Sequence, residues 1–263
     1  MGRVLATLLP GLTGLFPGTI PAAAWIGAGM EYFSLSERAE RETLLTEQGP
    51  RFLLLGAYDW QGPRWQASWR GRFGSGNVHY DGRTHSGQPL ETTTAWNSTT
   101  QELRLGNAPA PIGKLALGVQ AGIGFTAARR SISNLARGNQ DEDFFMGLLR
   151  LGIHARQGRL SVQGGLLHPW AVRQDAHLQE LGFAENPLLH PRPRPSLWLQ
   201  AGWRLSPGNR LELGYEGLRL EASEPVRVRA VQSVGNCLAG SLCTVYQPDT
   251  RIDRVWLTLH HRF

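Results

Sequence analysis

The feature that most constrains the fold is a two-residue alternation of apolar and polar side chains, which recurs about ten times along the chain. The clearest case runs from Arg254 to His260 before the terminal Phe263, and residues 115–125 and 197–205 repeat the pattern. Successive side chains of a β-strand point to opposite faces, so this period predicts half-buried strands. The chain is therefore predicted to be all-β.

The connections between the strands distinguish a soluble sandwich from a membrane barrel, because both architectures share the alternation. Short turns are predicted at 61–63, 107–113, 157–158 and 207–209, and longer polar connections at 38–49, 83–90, 131–142, 171–194 and 229–250. Short and long connections therefore alternate along the chain. This order is typical of an up-and-down barrel with tight periplasmic turns and long extracellular loops.

We therefore predict a closed antiparallel transmembrane β-barrel in the bacterial outer membrane. The connections imply ten strands, with eight or twelve left open, and place both termini on the periplasmic side. The terminal Phe263 closes an amphipathic strand. Such an ending is typical of barrels that are delivered to the outer-membrane assembly machinery, which is thus a predicted partner.

Two stretches depart from the regular pattern. Residues 73–105 are predicted to form a hairpin that extends well above the membrane. Residues 191–195 read Pro-Arg-Pro-Arg-Pro. Proline lacks the N–H that a β-ladder requires, so this run is predicted to lead into a strand without belonging to it.

The N-terminus has the composition of a secretory signal. Met1-Gly2-Arg3 is followed by an apolar run to Phe16 and then by Pro21 and three alanines. A basic start, a short apolar region and a small-residue cleavage site predict a signal peptide over 1–24, leaving a barrel domain over 25–263. No later apolar run is long enough for a transmembrane helix.

The net charge of +6 indicates attraction to acidic partners. Export argues against nucleic acid, whereas outer-membrane lipid and lipopolysaccharide fit the charge; the extracellular ligand stays open. In an exported chain, the closely spaced pair Cys237 and Cys243 predicts a disulfide, located here in the last extracellular loop. The histidines show no convincing zinc spacing, and no metal or cofactor is predicted.

The polar face of the predicted strands is rich in arginine. A narrow barrel leaves no room for a wide channel, so these groups are predicted to pair across the lumen in a structural role. The predicted lumen cluster consists of Glu31, Arg70, Arg72, Arg150, Arg156, Arg204, Glu212, Glu216 and Arg254.

The order of elements resembles that of the omptins, ten-stranded outer-membrane proteases. The resemblance rests on Gly76-Asn77-Val78, on the strand at 113–125 and on the run from 145 to 177. It implies that Asp175 and His177, in the fourth long loop, match the omptin Asp-x-His pair that activates a water. The opposing acidic pair is not matched, since Asp81 is the one carboxylate near its position.

The sequence therefore leaves three functions open, and no catalytic residue is assigned. The first is a barrel that acts through its extracellular loops, in adhesion, surface recognition or a structural role. The second is an omptin-like protease, for which Asp175, His177 and Asp81 are the candidate residues. The third is a narrow pore. We favour the first, because general-base catalysis requires positioned groups as well as the right residue types.

Overall fold

A computed structural model describes residues 22–40, 42–83, 87–134 and 138–263. The predicted signal peptide lies outside these residues except for Ala22, Ala23 and Ala24, which begin the first strand. The cleavage site stays a prediction. No helix in the described part of the chain is long and apolar enough to cross a membrane.

The described residues form fifteen strands and no helix. In chain order they are β1 (Ala22–Ala39), β2 (Glu42–Gln61), β3 (Trp65–Arg83), β4 (Pro89–Asn107), β5 (Ala110–Ile112), β6 (Leu115–Asn134), β7 (Gly138–Gln157), β8 (Leu160–Asp175), β9 (Leu188–Leu189), β10 (Arg192–Arg194), β11 (Ser196–Ser206), β12 (Asn209–Glu221), β13 (Val226–Arg229), β14 (Leu242–Val245) and β15 (Asp249–Arg262). The ten longest strands form the barrel wall, and the five short ones belong to connections.

The barrel closes because β1 pairs antiparallel with both β2 and β15. Trp25 lies opposite Arg262 at one end of the closing seam, and Arg38 lies opposite Asp249 at the other. Each long strand neighbours the next long strand of the sequence. The closed, ten-stranded, up-and-down antiparallel barrel predicted from the sequence is confirmed.

The leucine side chains of β15 face outward and several of its polar side chains face the lumen, as expected of a membrane barrel. Leu257 and Leu259 are about half exposed on the outer face, whereas Arg254 and Thr258 are buried in the lumen. Exposed apolar side chains cover the outer face of the other wall strands, among them Met30, Leu54, Leu103, Ile123, Leu151, Leu166, Leu199 and Leu213. A closed barrel with this outer surface fits a lipid environment.

Aromatic rings mark the upper edge of the apolar outer surface, and beyond them the outer face becomes polar. The rings are those of Tyr32, Phe52, Phe73, Phe125, Phe145 and Trp170. Such a girdle is typical of the membrane interface. We take the strand segments from this girdle down to the short turns as membrane-spanning. The segments above the girdle lie outside the membrane on the extracellular side.

The four short turns lie where the sequence places them, but two of the five long connections, at 38–49 and 131–142, were predicted too long. β1 continues to Ala39 and β2 starts at Glu42, with Glu40 in the left-handed region at φ 54°. Similarly, β6 continues to Asn134 and β7 starts at Gly138. By contrast, β3 pairs with β4 up to Arg83 and Pro89, which agrees with the predicted connection at 83–90 and confirms the predicted tall hairpin. Above the membrane the outer face is polar, so the alternation weakens while the β-ladder continues.

The proline-rich run is also more ordered than predicted. Arg192 and Arg194 form β10 and pair with Glu221 and Arg219 of β12, directly above the pairing of β11 with β12. Because proline occupies every second position, the two arginines supply the N–H groups of one edge of the strand. The prediction that this run lies outside the ladder was wrong.

An apolar cluster fills the extracellular half of the lumen. It draws buried side chains from most of the wall strands: Phe33, Leu35, Val78, Trp96, Ala128, Phe144, Met146, Leu148, Leu167, Val172, Trp198, Leu218, Leu220 and Ile252. Phe33 and Trp96 lie 5.0 Å apart between ring centroids. A core of this kind is normally found inside a soluble domain, and here it closes the upper lumen.

The two faces of β15 give a direct test of the membrane orientation. We expect Leu257→Arg to cost about 2–4 kcal/mol of folding free energy in lipid, because it places a charge on the lipid-facing surface. Thr258→Ser keeps the hydroxyl that contacts Nε2 of His260 at 2.9 Å, and it should be mild. Unfolding in urea from lipid vesicles compares the two variants. Equal sensitivity at both positions would contradict the assignment of Leu257 to lipid and of Thr258 to the lumen.

Candidate functional site

The middle of the lumen holds an ion-pair network centred on Glu216. Its carboxylate accepts hydrogen bonds from Nη2 of Arg72 at 2.6 Å, Nη2 of Arg150 at 2.7 Å and Nη1 of Arg254 at 3.4 Å. Glu102 accepts from Nε of Arg150 at 2.8 Å. Arg150 therefore bridges two carboxylates that belong to opposite walls of the barrel.

The remaining members of the predicted lumen cluster lie on either side of this network. Glu31 accepts from Nε of Arg51 at 2.7 Å. Toward the periplasm, Arg70 donates to Asp59 at 2.7 Å, and Glu212 is buried beside Arg210. Arg204, by contrast, is exposed at the periplasmic end and donates to the Gly158 carbonyl at 3.4 Å, so it lies outside the network.

A second network lies higher, outside the membrane, and it was not predicted from the sequence. Arg130 pairs with Glu37 at 3.0 Å, with Glu47 at 2.9 Å and with Glu142 at 2.8 Å. Glu47 also accepts a hydrogen bond from Nε1 of Trp96 at 2.5 Å. Burial raises the pKa of Glu37, and the positive charge of Arg130 opposes that shift. One guanidinium therefore holds three buried carboxylates.

The lumen is closed to through passage in the part of the chain that the structure describes. The apolar cluster and the Arg130 network occupy its extracellular half, and the Glu216 network crosses its middle. Side chains such as Trp198 and Arg254 are almost completely buried there. This arrangement gives no support to the narrow pore.

The Asp-x-His pair of the fourth extracellular connection lies on the outer face of the barrel. Asp175 lies opposite Asp143 in the ladder between β7 and β8, whereas the neighbouring Glu142 and Gln174 point into the lumen. Nε2 of His177 lies 2.9 Å from Oδ2 of Asp143. The carboxylate of Asp175 accepts from the backbone N–H of His177, also at 2.9 Å, and not from its ring.

A β-bulge explains this placement. Phe145 lies opposite Arg173, but Gly147 lies opposite Trp170, so β8 carries an extra residue near Ala171, whose φ is 49°. Leu167 faces the lumen before the bulge and Gln174 faces it afterwards. An extra residue exchanges the two faces of a strand. Asp175 is thereby directed away from the lumen.

The histidine is nevertheless in an acidic environment. Partial burial lowers the pKa of His177, but the hydrogen bond to Asp143 and the charge of Asp175 outweigh it and raise the pKa above its ordinary value of 6.5. Asp81 lies on the outer face of β3, and β4, β6 and β7 separate that strand from β8. The structure therefore brings His177 together with Asp143 and not with Asp81.

The fourth and fifth extracellular connections, residues 176–195 and 222–248, pack together into what we call the loop module. They share an apolar core formed by Ala176, Leu178, Phe183, Val228, Ala230 and Val234. Backbone hydrogen bonds of 2.9 Å join Ala184 to Arg229 and Val231 to Gly182. The predicted disulfide between Cys237 and Cys243 is present at the edge of this core.

One face of the loop module is apolar and basic. In the hairpin of β13 and β14, Arg229 lies opposite Leu242, and both are exposed. Val231 and Leu238 at the tip are 62% and 70% exposed. We call these residues, together with Arg227, the hairpin surface. The opposite face of the same hairpin carries Val228 and packs into the module core.

Comparisons with known proteins support the fold. The outer membrane protease OmpT of Escherichia coli superimposes with a TM-score of 0.52 at 11% identity, covering 92% of this chain and 96% of that one. This chain has the fold of a transmembrane β-barrel of the bacterial outer membrane. The predicted location in the bacterial outer membrane agrees with this fold and with the apolar outer surface.

Other outer-membrane barrels superimpose less well on this barrel. The translocator domain of the autotransporter NalP from Neisseria meningitidis has a TM-score of 0.42 at 13% identity, covering 95% of this chain and 91% of that one. The attachment invasion locus protein Ail of Yersinia pestis has a TM-score of 0.37 at 8% identity, covering 93% and 100%. No protein-family model and no curated protein sequence matches the chain.

Proposed function

We propose that this barrel is a surface-recognition protein that binds a partner outside the cell through the hairpin surface of its loop module. The main support for this proposal is that Val231, Leu238 and Leu242 are exposed on the extracellular connections, above the apolar surface that faces lipid. Clustered apolar side chains that face water mark interaction sites. The same side chains on the barrel wall would need no partner other than lipid.

The construction of the loop module supports binding. The buried side is fixed by its own apolar core, and the disulfide between Cys237 and Cys243 closes the hairpin tip. A surface that is ordered before binding loses less conformational entropy when the complex forms. The tip can therefore present its apolar residues to a partner in one fixed arrangement.

The charge of the hairpin surface indicates the partner's chemistry. Arg227 and Arg229 are exposed on the face that also carries Leu242. Apolar and arginine side chains together are typical of protein-binding surfaces. The partner we propose is a protein whose apolar patch is bordered by carboxylates.

The test is adherence of cells that display the barrel to surfaces coated with fibronectin, laminin or collagen. We expect the double variant Leu238→Asp and Leu242→Asp to lower adherence about tenfold or more, since it removes two central apolar contacts. The double variant Cys237→Ser and Cys243→Ser should weaken it while the leucines remain. Leu188→Asp makes the same chemical change at a half-exposed leucine elsewhere in the module and should have little effect.

Two results would contradict the proposal. The first is full adherence by the leucine variant when its surface abundance equals that of the wild type. The second is cleavage of dibasic peptides by refolded protein in lipopolysaccharide, abolished by both His177→Ala and Asp143→Ala. That result would favour the omptin-like activity. We expect no cleavage, because the Asp-x-His pair lies on the outer face of the wall.

A further inference from the structure

We propose that the periplasmic end of the lumen is a binding site for a small phosphate-type oxyanion. A cavity of about 230 Å³ opens there below the Glu216 network. We call it the periplasmic vestibule; its polar lining includes Asp59, Arg70, Gln120, Arg156, Gln163 and Arg210. This site is separate from the loop module, which lies at the opposite end of the barrel.

The vestibule ends in a rigid polar floor. Gln120 donates to Gln163 at 2.9 Å, Gln163 donates to Gln200 at 2.6 Å, and Arg104 donates to the same Gln200 oxygen at 3.2 Å. Above this chain, Arg104 is fixed by Glu102 at 2.9 Å. The cavity is therefore a blind pocket, open toward the periplasm and closed toward the membrane centre.

Two buried donors that belong to lining residues of the vestibule have no acceptor among the described residues. They are Nε of Arg70 and Nε of Arg210. A buried guanidinium N–H without an acceptor is costly, so such groups normally face water or a ligand. Arg70 pairs with Asp59 and Arg210 pairs with Glu212, and in both arginines the Nε donor stays without an acceptor.

The charge balance favours an anion over water alone. In the lower and middle lumen, the arginines outnumber the carboxylates. The arginines are Arg51, Arg70, Arg72, Arg104, Arg150, Arg156, Arg210 and Arg254, and the carboxylates are Glu31, Asp59, Glu102, Glu212 and Glu216. Arg156 lines the open end of the cavity, where it is exposed, and has no ion pair in the described part of the chain. Enclosed positive charge concentrates anions in a cleft of low dielectric constant. Oxygen acceptors would also satisfy the free donors.

The geometry favours phosphate over a carboxylate. The arginines that line the vestibule come from β3, β4, β7 and β12, and hence from different sides of the cavity. A tetrahedral oxyanion offers acceptors in several directions, whereas a carboxylate suits one planar guanidinium. Two sources share this chemistry: free phosphate and the phosphate headgroup of a lipid.

Titration calorimetry of the refolded barrel in detergent, first with inorganic phosphate and then with glycerol phosphate, tests the site. We expect saturable binding of one phosphate per barrel. Arg156→Gln should weaken it about tenfold or more, since it removes one charge-assisted contact without unpairing a carboxylate. Arg210→Gln should also weaken phosphate binding. Comparable affinities would indicate recognition of the free oxyanion, and a preference for glycerol phosphate would indicate a headgroup; both support the site.

Arg204→Gln is the matched control, because Arg204 is an exposed arginine at the same end of the barrel but does not line the vestibule. It should bind phosphate as the wild type does. Circular dichroism confirms that each variant is folded before titration. Absence of saturable phosphate binding by the wild type would overturn the inference. Equal weakening by Arg156→Gln and Arg204→Gln would also overturn it, since that result indicates general surface charge.

Discussion

Glu216→Gln should lower the free energy of unfolding by about 3–5 kcal/mol. The Glu216 carboxylate is 2% exposed and accepts from Arg72, Arg150 and Arg254. Glutamine keeps the shape but removes the negative charge, so three guanidinium groups remain buried around a neutral side chain. The loss of a buried partner costs more than the net value of the ion pair, because the remaining charges cannot regain their hydration.

Glu221→Gln is the control for this experiment. Glu221 belongs to the same strand and pairs with Arg194, but the side chains are 41% and 60% exposed. Surface ion pairs contribute about 0–1 kcal/mol, so the change should be small. Urea unfolding of both variants from lipid vesicles measures the difference. Losses of equal size would show that the lumen network is hydrated and contributes no more than a surface pair.

Most of the barrel wall could be predicted because one property, the side of the sheet that each residue faces, is encoded locally. Arg254, Trp256 and Thr258 are in the lumen while Val255 and Leu257 face outward, as the two-residue period indicates. The same rule placed Glu31, Arg72, Arg150 and Glu216 in the lumen. None of these assignments requires knowledge of which strands are opposite each other.

The ion pairs within the lumen could not be predicted, since they depend on which side chains are close to each other across the barrel. Arg72 and Glu216 are 144 residues apart in the chain and 2.6 Å apart in the barrel. The Arg130 network was missed for a second reason. Glu47 and Glu142 lie in stretches whose polar character predicted loops, and Glu37 directly precedes one of them, although all three residues belong to strands above the membrane.

The Asp-x-His pair shows how one residue of irregularity can change a functional interpretation. The spacing of Asp175 and His177 places them on the same face of a strand. The bulge at Ala171 determines whether that face is the lumen side or the outer side. Without the extra residue, continuation of the Leu167 register would direct Asp175 into the lumen. Sequence patterns rarely reveal a bulge. Asp143, which contacts His177, lies on the neighbouring strand, and the sequence alone does not indicate that contact.

Arg130→Gln should lower the free energy of unfolding about as much as Glu216→Gln does. It removes the positive partner of a buried network, whereas Glu216→Gln removes the negative one. The loss of Arg130 leaves Glu37, Glu47 and Glu142 buried without their shared positive partner, and we expect a loss of about 3–5 kcal/mol. Arg129→Gln is the matched control at the adjacent position. Arg129 lies on the outer face, is 56% exposed and pairs with Asp141. It should cost about 0–1 kcal/mol.

The loss in Arg130→Gln should also depend on pH. Burial already raises the pKa of Glu37 above its ordinary value of 4.5, and Arg130 is the group that opposes this shift. Removing Arg130 raises that pKa further, so the folded variant binds a proton that the unfolded chain releases. A raised carboxyl pKa gives stability at low pH that is lost as the pH rises through the folded-state pKa. The difference in free energy of unfolding between Arg130→Gln and the wild type should therefore be smaller at about pH 5 than at about pH 8. A difference that is constant with pH would mean that Glu37 stays ionised without Arg130, and that water reaches the three carboxylates in the folded barrel.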